Sequence, residues 1–244
     1  RMYRPDRIVV SVSGAVDEAQ LLALVERGFS EGDGRAVAPV PSGTFMGGEA
    51  RLARRIEQSN LVFLLPGLSH NDPRRPALRL GVEILGGGMA SRLFQTAREE
   101  RGLAYAIDAY HESYADCGLL GLYAGSAADR AGELAQVCGE TIRALVTDGP
   151  TERELDRARA VARAGIRMAD ESPVARAGRL ATQSLIFGHP VSSDAMVDEV
   201  MSQSREDVQQ ALASCLAPGL TATAALGPKA GLSAGLLFER ALTG

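Results

Sequence analysis

The feature that most constrains the fold is a segment rich in glycine and proline that divides the chain unequally. Residues 31–44, EGDGRAVAPVPSGT, contain three glycines and two prolines and have neither helical nor alternating periodicity. This composition is typical of a linker between domains. We therefore predict a short piece at 1–30, a linker at 31–44 and one larger domain at 45–244.

The short piece before the linker has the pattern of a strand followed by a helix. Residues 7–14, RIVVSVSG, form an apolar run that predicts a strand. Residues 17–29 place Leu21, Val25 and Phe29 on one helical stripe. The predicted strands that end at Gly14 and at Gly227 are similar apolar runs of about the same length, which suggests two related halves. On this interpretation residues 1–30 are the end of the first half.

The larger piece alternates between helical and strand periodicities. A capping-box pair, Thr151 and Glu154, opens one long helix, and Ser204 precedes another. The predicted strands are 60–65, 103–110, 119–125 and 220–226, and the other predicted helices are 73–85, 91–101 and 128–146. Strands 103–110 and 119–125 are close enough to form a hairpin. We expect an α+β fold in which helices pack on a mostly antiparallel sheet, preceded by a short β-α remnant and the linker.

Charge and cysteine content narrow the function classes. The chain has 26 basic and 30 acidic residues, a formal net charge of -4 and no block of like charge. We therefore expect no nucleic-acid partner and no membrane partner. Cys117, Cys138 and Cys215 are far apart and form no C-x-x-C pair, so we interpret each as a buried structural residue.

The segment 85–110, LGGGMASRLFQTAREERGLAYAIDAY, carries the strongest functional signal. Arg98 falls in the last turn of a predicted helix, and Tyr105 falls at the start of the next strand. Gly102 between them permits a tight reversal, so both side chains could converge on one cleft. The guanidinium suits peptide carbonyls, and the phenol can donate to an oxygen that gains negative charge.

Plainer interpretations of the same residues remain open. An arginine near a helix C-terminus is favoured by the helix dipole, and a tyrosine in a strand often only packs. The run 86–88 is either a helix break or a place where substrate approaches the backbone, in which case Gly87 and Gly88 bind substrate. Arg92 and Arg101 are interpreted as surface or helix-end charges.

The same segment resembles the insulinase, or mitochondrial-processing-peptidase-like, family of zinc metallopeptidases, the inverzincins. The match is to their C-terminal half, where the pattern Gly-Gly-Gly-Met-x-Ser-Arg-Leu-Phe-Gln-x-x-Arg-Glu-x-x-Gly-Leu-Ala-Tyr recurs. The seven-residue spacing of Arg98 and Tyr105 matches the arginine–tyrosine pair of that family. The resemblance implies that both residues bind the substrate backbone and that Tyr105 helps to stabilise the tetrahedral intermediate.

The zinc motif of that family, H-x-x-E-H, does not occur in this sequence. The three histidines are His70, His111 and His189, and position 115, where H-E-x-x-H would need a second histidine, is Ala115. We therefore predict no metal ligand and no cofactor in this chain. The resemblance implies that zinc is held by a missing or partner half.

The resulting hypothesis is a substrate-binding, zinc-free half of an insulinase-like metalloendopeptidase, inactive alone. The implied partners are a peptide or small protein substrate and a half or subunit that bears H-x-x-E-H, in a homodimer or a heterodimer. The alternative is a catalytically inactive scaffold or binding subunit of the same family. The sequence gives no cellular compartment.

Overall fold

The computed structural model describes residues 7–29, 41–216 and 220–244. Within these ranges the chain divides into two compact units. One combines the described part of 1–41 with residues 163–198, and the other combines 42–162 with 199–244. The predicted linker lies mostly outside the described residues, and the domain limits at 30 and 45 stay a prediction. None of the described helices is both long and apolar enough to cross a membrane.

The second unit contains a five-stranded sheet in its described residues. The strands are β1 (Gly48–Ala53), β2 (Gln58–Gly67), β3 (Ala106–Ser113), β4 (Gly118–Ala127) and β5 (Ala222–Gly227), in the order β1-β5-β2-β4-β3. Only β1 and β5 pair in parallel, and the other neighbours are antiparallel. The predicted hairpin is β3 and β4. The mostly antiparallel sheet confirms the predicted α+β class.

Helices make up most of the remaining described chain. They are α1 (Glu18–Phe29), α2 (Arg75–Gly86), a π-helix (Phe94–Glu100), α3 (Ala131–Asp148), α4 (Glu152–Glu171), α5 (Pro173–Phe187), α6 (Ser193–Ser202), α7 (Arg205–Ser214), a short 3-10 turn (Lys229–Gly231) and α8 (Ala234–Thr243). The predicted helices are present with shifted ends. Sequence patterning missed β1, α5, α6 and α8.

One face of the sheet forms the core of the second unit. Side chains alternate along β2, so that Leu61, Phe63 and Leu65 are buried while the residues between them stay half-buried. Phe63 stacks on Phe238 of α8 with ring centroids 4.2 Å apart. Each buried side chain of this size contributes about 1.5–3 kcal/mol. The helices therefore cover one face of the sheet, and the opposite face stays partly open.

The strand predicted at 7–14 does not form. Residues 8–13 have no regular structure, and Val9, Val10 and Val12 are exposed. A strand is stabilised by ladder hydrogen bonds to a neighbour. Within the part of the chain that the structure describes, none of the five strands pairs with this segment, so its β propensity alone does not produce a strand.

The three cysteines are free, and two of them are buried as predicted. Burial raises the pKa of the Cys138 thiol to about 12 and that of Cys215 to about 11. Cys117 is only partly buried, contrary to the prediction, because it lies in the loop that connects β3 to β4.

Candidate functional site

A tight turn at Gly102 connects the π-helix to β3 and positions the two predicted functional side chains. Gly102 has φ +59°, a left-handed conformation that favours glycine. The N–H of Leu103 donates to the carbonyl of Ala97 over 2.7 Å, a main-chain hydrogen bond that spans the end of the π-helix and closes the turn. Leu103 and Ala97 are both buried, so the turn is anchored on both sides.

Tyr105 leaves this turn immediately before β3 begins. Its N–H donates to the carbonyl of Gly125 on β4 over 2.8 Å, so the backbone is held by the sheet. The side chain, in contrast, is 62% exposed. Among the described residues the phenol has no hydrogen-bond partner, so it is open to solvent.

Arg98 lies near the end of the π-helix and is also exposed. Its guanidinium carbon lies 4.7 Å from the centroid of the Phe94 ring, a cation–π contact that limits the mobility of the side chain. Within the described ranges Arg98 forms no ion pair and no side-chain hydrogen bond. Its donors are therefore available, and convergence of Arg98 and Tyr105 on one substrate stays a prediction.

The glycine run ends α2 and lets that helix lie close to the sheet. Gly86 is buried, and a Cβ there would lie 2.5 Å from the backbone nitrogen of Ala109 on β3. Gly87 is the C-terminal cap, and its N–H donates to the Glu83 carbonyl over 3.0 Å. A Cβ on Gly88 would meet no heavy atom within 4 Å. The run is thus a helix break, while substrate binding by Gly87 and Gly88 stays a prediction.

Arg92 has a role that the sequence did not reveal. Its Nε and Nη2 donate to the two carboxylate oxygens of Glu154 over 2.7 and 2.8 Å, and Nη2 also donates to the Gly149 carbonyl over 3.1 Å. The two side chains are only 21% and 16% exposed. Arg92 therefore forms a largely buried ion pair that connects the segment carrying Arg98 to the start of α4. Its interpretation as a surface charge was wrong.

Glu154, the partner of Arg92, also belongs to the capping box predicted at the start of α4. Thr151 N–H donates to Glu154 over 2.8 Å, and Glu154 N–H donates to the Thr151 hydroxyl over 3.3 Å. The hydrogen bonds from Arg92, followed by those from Thr151, lower the pKa of Glu154 to about 2. The sequence revealed only the capping box, because Arg92 lies 62 residues before Glu154.

Among the described residues, the three histidines are not grouped with other possible ligands into a metal site. His111 is in β3, as expected for a strand, so it cannot share a helical face with a second ligand. Burial and the nearby guanidinium of Arg75 lower the pKa of both His70 and His111. A positive neighbourhood also disfavours a divalent cation. His189 is exposed, beyond the end of α5.

The described residues do not fit the zinc ion that the resemblance implies. No three histidine, cysteine, aspartate or glutamate side chains in the described ranges are grouped closely enough to hold a metal ion. The sequence also lacks the H-x-x-E-H pattern of the family that it resembles.

Comparison with known proteins gives consistent matches. The sequence profile described as the peptidase M16 inactive domain matches residues 1–161. An uncharacterized zinc protease of Streptomyces coelicolor is 31% identical over 216 residues, which cover 85% of this chain and 47% of that protein. This chain spans about half the length of the curated relatives that it matches.

Solved structures share the fold. An M16 inactive domain from Pseudomonas fluorescens superposes with a TM-score of 0.78 at 22% identity, over 88% of this chain and 52% of that one. A chain of complex III from Candida albicans gives a TM-score of 0.79 at 18% identity, over 93% and 56%. The profile match covers more than half of the chain and confirms the resemblance carried by the segment 85–110. The chain therefore belongs to the M16 family of zinc peptidases, and residues 1–161 match the inactive domain of that family.

Proposed function

We propose that this chain is the substrate-binding, zinc-free half of an M16 peptidase and that Arg98 and Tyr105 contact the bound peptide. The observation that carries the proposal is the contrast between three polar side chains of one segment. Arg92 is tied to Glu154 and cannot serve a ligand, whereas Arg98 and Tyr105 are exposed and have no polar partner among the described residues.

Each of the two exposed groups has a distinct task in this proposal. The guanidinium of Arg98, resting on the Phe94 ring, presents its outer N–H donors to carbonyl oxygens of an extended peptide. Tyr105 donates its phenol hydrogen to the scissile carbonyl oxygen as that oxygen gains charge. Because the backbone on both sides of Gly102 is hydrogen-bonded, the two groups need little reorganisation.

The proposal requires a second half that bears H-x-x-E-H and supplies the metal chemistry. The relatives named zinc proteases are about twice as long as this chain, which leaves room in them for such a half. For this chain we propose either a homodimeric or a heterodimeric arrangement, with a peptide or a small protein as substrate. The open space at Gly88, next to Gly87, would allow the substrate backbone to approach the end of α2.

A scaffold role is the second candidate, favoured by the likeness to a chain of Candida complex III. In that case the chain would assemble with partners without contributing to hydrolysis. Exposed, unpartnered Arg98 and Tyr105 support the first candidate, since a scaffold has no need of them.

A reconstitution experiment tests the proposal. The chain alone should not cleave a fluorogenic peptide library, whereas the chain mixed with the H-x-x-E-H half encoded upstream or in a neighbouring gene should cleave it. The zinc half alone is the matched control. A stable complex that cleaves no faster than the zinc half alone would support the scaffold role instead.

A further inference from the structure

A positively charged pocket lies at one end of the sheet, apart from the segment 85–110. It has a volume of about 690 Å³ and is lined by residues 53–57 and by Pro228 and Lys229. The N–H of Arg54 donates to the Gly227 carbonyl over 2.8 Å, which joins the end of β1 to the end of β5. A Cβ on Gly227 would lie 2.8 Å from Cα of Ser59, so the end of β5 lies close against the start of β2. These backbone contacts fix the positions of the strand ends that line the pocket.

The charges around this pocket are unbalanced. Arg54, Arg55 and Lys229 face it together with a single acidic residue, Glu57. In the described part of the chain none of the three cations forms an ion pair, and the one side-chain hydrogen bond among them runs from Arg54 to the carbonyl of its neighbour Ala53. The chain as a whole carries a net charge of -4, so the charge around this pocket is opposite in sign to that of the whole chain.

One exposed apolar side chain lines the pocket with the three cations, and two more lie on the strands that end at it. Ile56 in the pocket wall is 43% exposed. Leu52 and Leu226 are paired in register at the end of β1 and β5 and are 47% and 37% exposed. A ligand that fits both sets of groups carries carboxylates and apolar side chains, because guanidinium groups bind carboxylates in a bidentate manner. The lining has neither an aromatic ring for base stacking nor an α-helix N-terminus for phosphate.

We propose that this pocket binds an acidic polypeptide segment. Carboxylates of the segment pair with Arg54, Arg55 and Lys229, while its apolar residues cover Ile56 and the adjoining leucines. The site is separate from the proposed peptidase role and holds whether or not that role is correct. Because the cations are exposed, binding weakens as salt rises.

Fluorescence anisotropy on the full 244-residue chain tests this proposal. The probe is a fluorescein-labelled peptide with glutamates and leucines among glycines and serines, and its control has glutamine in place of each glutamate. We expect the glutamate peptide to bind at least about tenfold more tightly. The double variant Arg54→Glu/Arg55→Glu should lose at least about tenfold in affinity, and Lys229→Ala should lose less.

The matched control is Arg153→Glu/Arg163→Glu, which makes the same change in net charge at exposed positions on α4. It should keep the affinity within about twofold, with circular dichroism showing that all variants fold. Equal loss in both double variants would overturn the proposal, since it would indicate a net-charge effect. Equal binding of the glutamine peptide, or complete competition by millimolar inorganic phosphate, would overturn it as well.

Discussion

Replacing Arg92 by alanine should destabilise the protein by about 2 kcal/mol. The fall in the pKa of Glu154 from 4.5 to about 2 corresponds to roughly 3 kcal/mol of preference for its charged form. Part of that preference comes from Thr151, which the substitution leaves in place, and both side chains of the pair keep some solvent contact. The expected loss therefore lies between those of an exposed pair, about 0–1 kcal/mol, and a fully buried one, about 3–5 kcal/mol.

Urea unfolding followed by circular dichroism measures this loss, and thermal unfolding should show a Tm lower by roughly 4–8 °C. The pH dependence provides a second test. Because the folded-state pKa of Glu154 is lowered, its contribution is fully present above pH 4.5, the unfolded value, and disappears as pH falls towards about 2. The difference between parent and Arg92→Ala should therefore shrink over that range.

The exposed pair Arg130–Glu133 at the start of α3 offers a matched control. Its atoms are 3.1 Å apart, but its side chains are 45% and 48% exposed. Arg130→Ala should cost at most about 0.5 kcal/mol. The claim that the Arg92–Glu154 ion pair stabilises the fold would be refuted by either of two results. One is a loss of unfolding free energy in Arg92→Ala no larger than in Arg130→Ala, and the other is a loss that does not change between neutral pH and pH 2.

Two further predictions concern packing. Gly86→Ala should lower the unfolding free energy by about 1–3 kcal/mol, because the added methyl group would overlap the backbone of β3. Gly88→Ala should change it by less than about 0.5 kcal/mol, because that position is open. Urea unfolding of both variants measures the difference, and equal effects would contradict the close packing of α2 on the sheet. In the folded protein a thiol reagent at pH 8 should modify Cys117 first and the two buried cysteines only after unfolding; mass spectrometry of the labelled peptides checks the order, and rapid labelling of Cys138 would contradict its burial.

Local patterning predicted the elements whose signal is complete within a few residues. The hairpin of β3 and β4 follows from two neighbouring alternating runs, and the start of α7 follows from the Ser204 cap. Residues 48–53 were missed because every side chain of β1 is exposed, which removes the alternation, and because its partner β5 lies far along the chain. Residues 7–14 show the converse case, since their strand propensity finds no sheet neighbour in the described chain.

The candidate site was predictable only in part for the same reason. The turn at Gly102 follows from a glycine between a helical and an alternating pattern, but periodicity alone assigns no function to Arg98 or Tyr105. Their proposed role came from the family resemblance. The tie between Arg92 and Glu154 joins two segments through tertiary structure. No local pattern distinguishes such an arginine from an exposed one.

The most direct test of the central claim is the turnover of the reconstituted complex with Tyr105→Phe. Tyr114 is an exposed tyrosine whose hydroxyl donates to Glu112, so Tyr114→Phe is the matched control. Loss of a donor to the developing oxyanion should lower kcat about 100-fold with little change in KM, while the control keeps the parent rate. Equal kcat for the Tyr105→Phe complex and the parent complex would contradict the claim that this zinc-free half takes part in peptide hydrolysis.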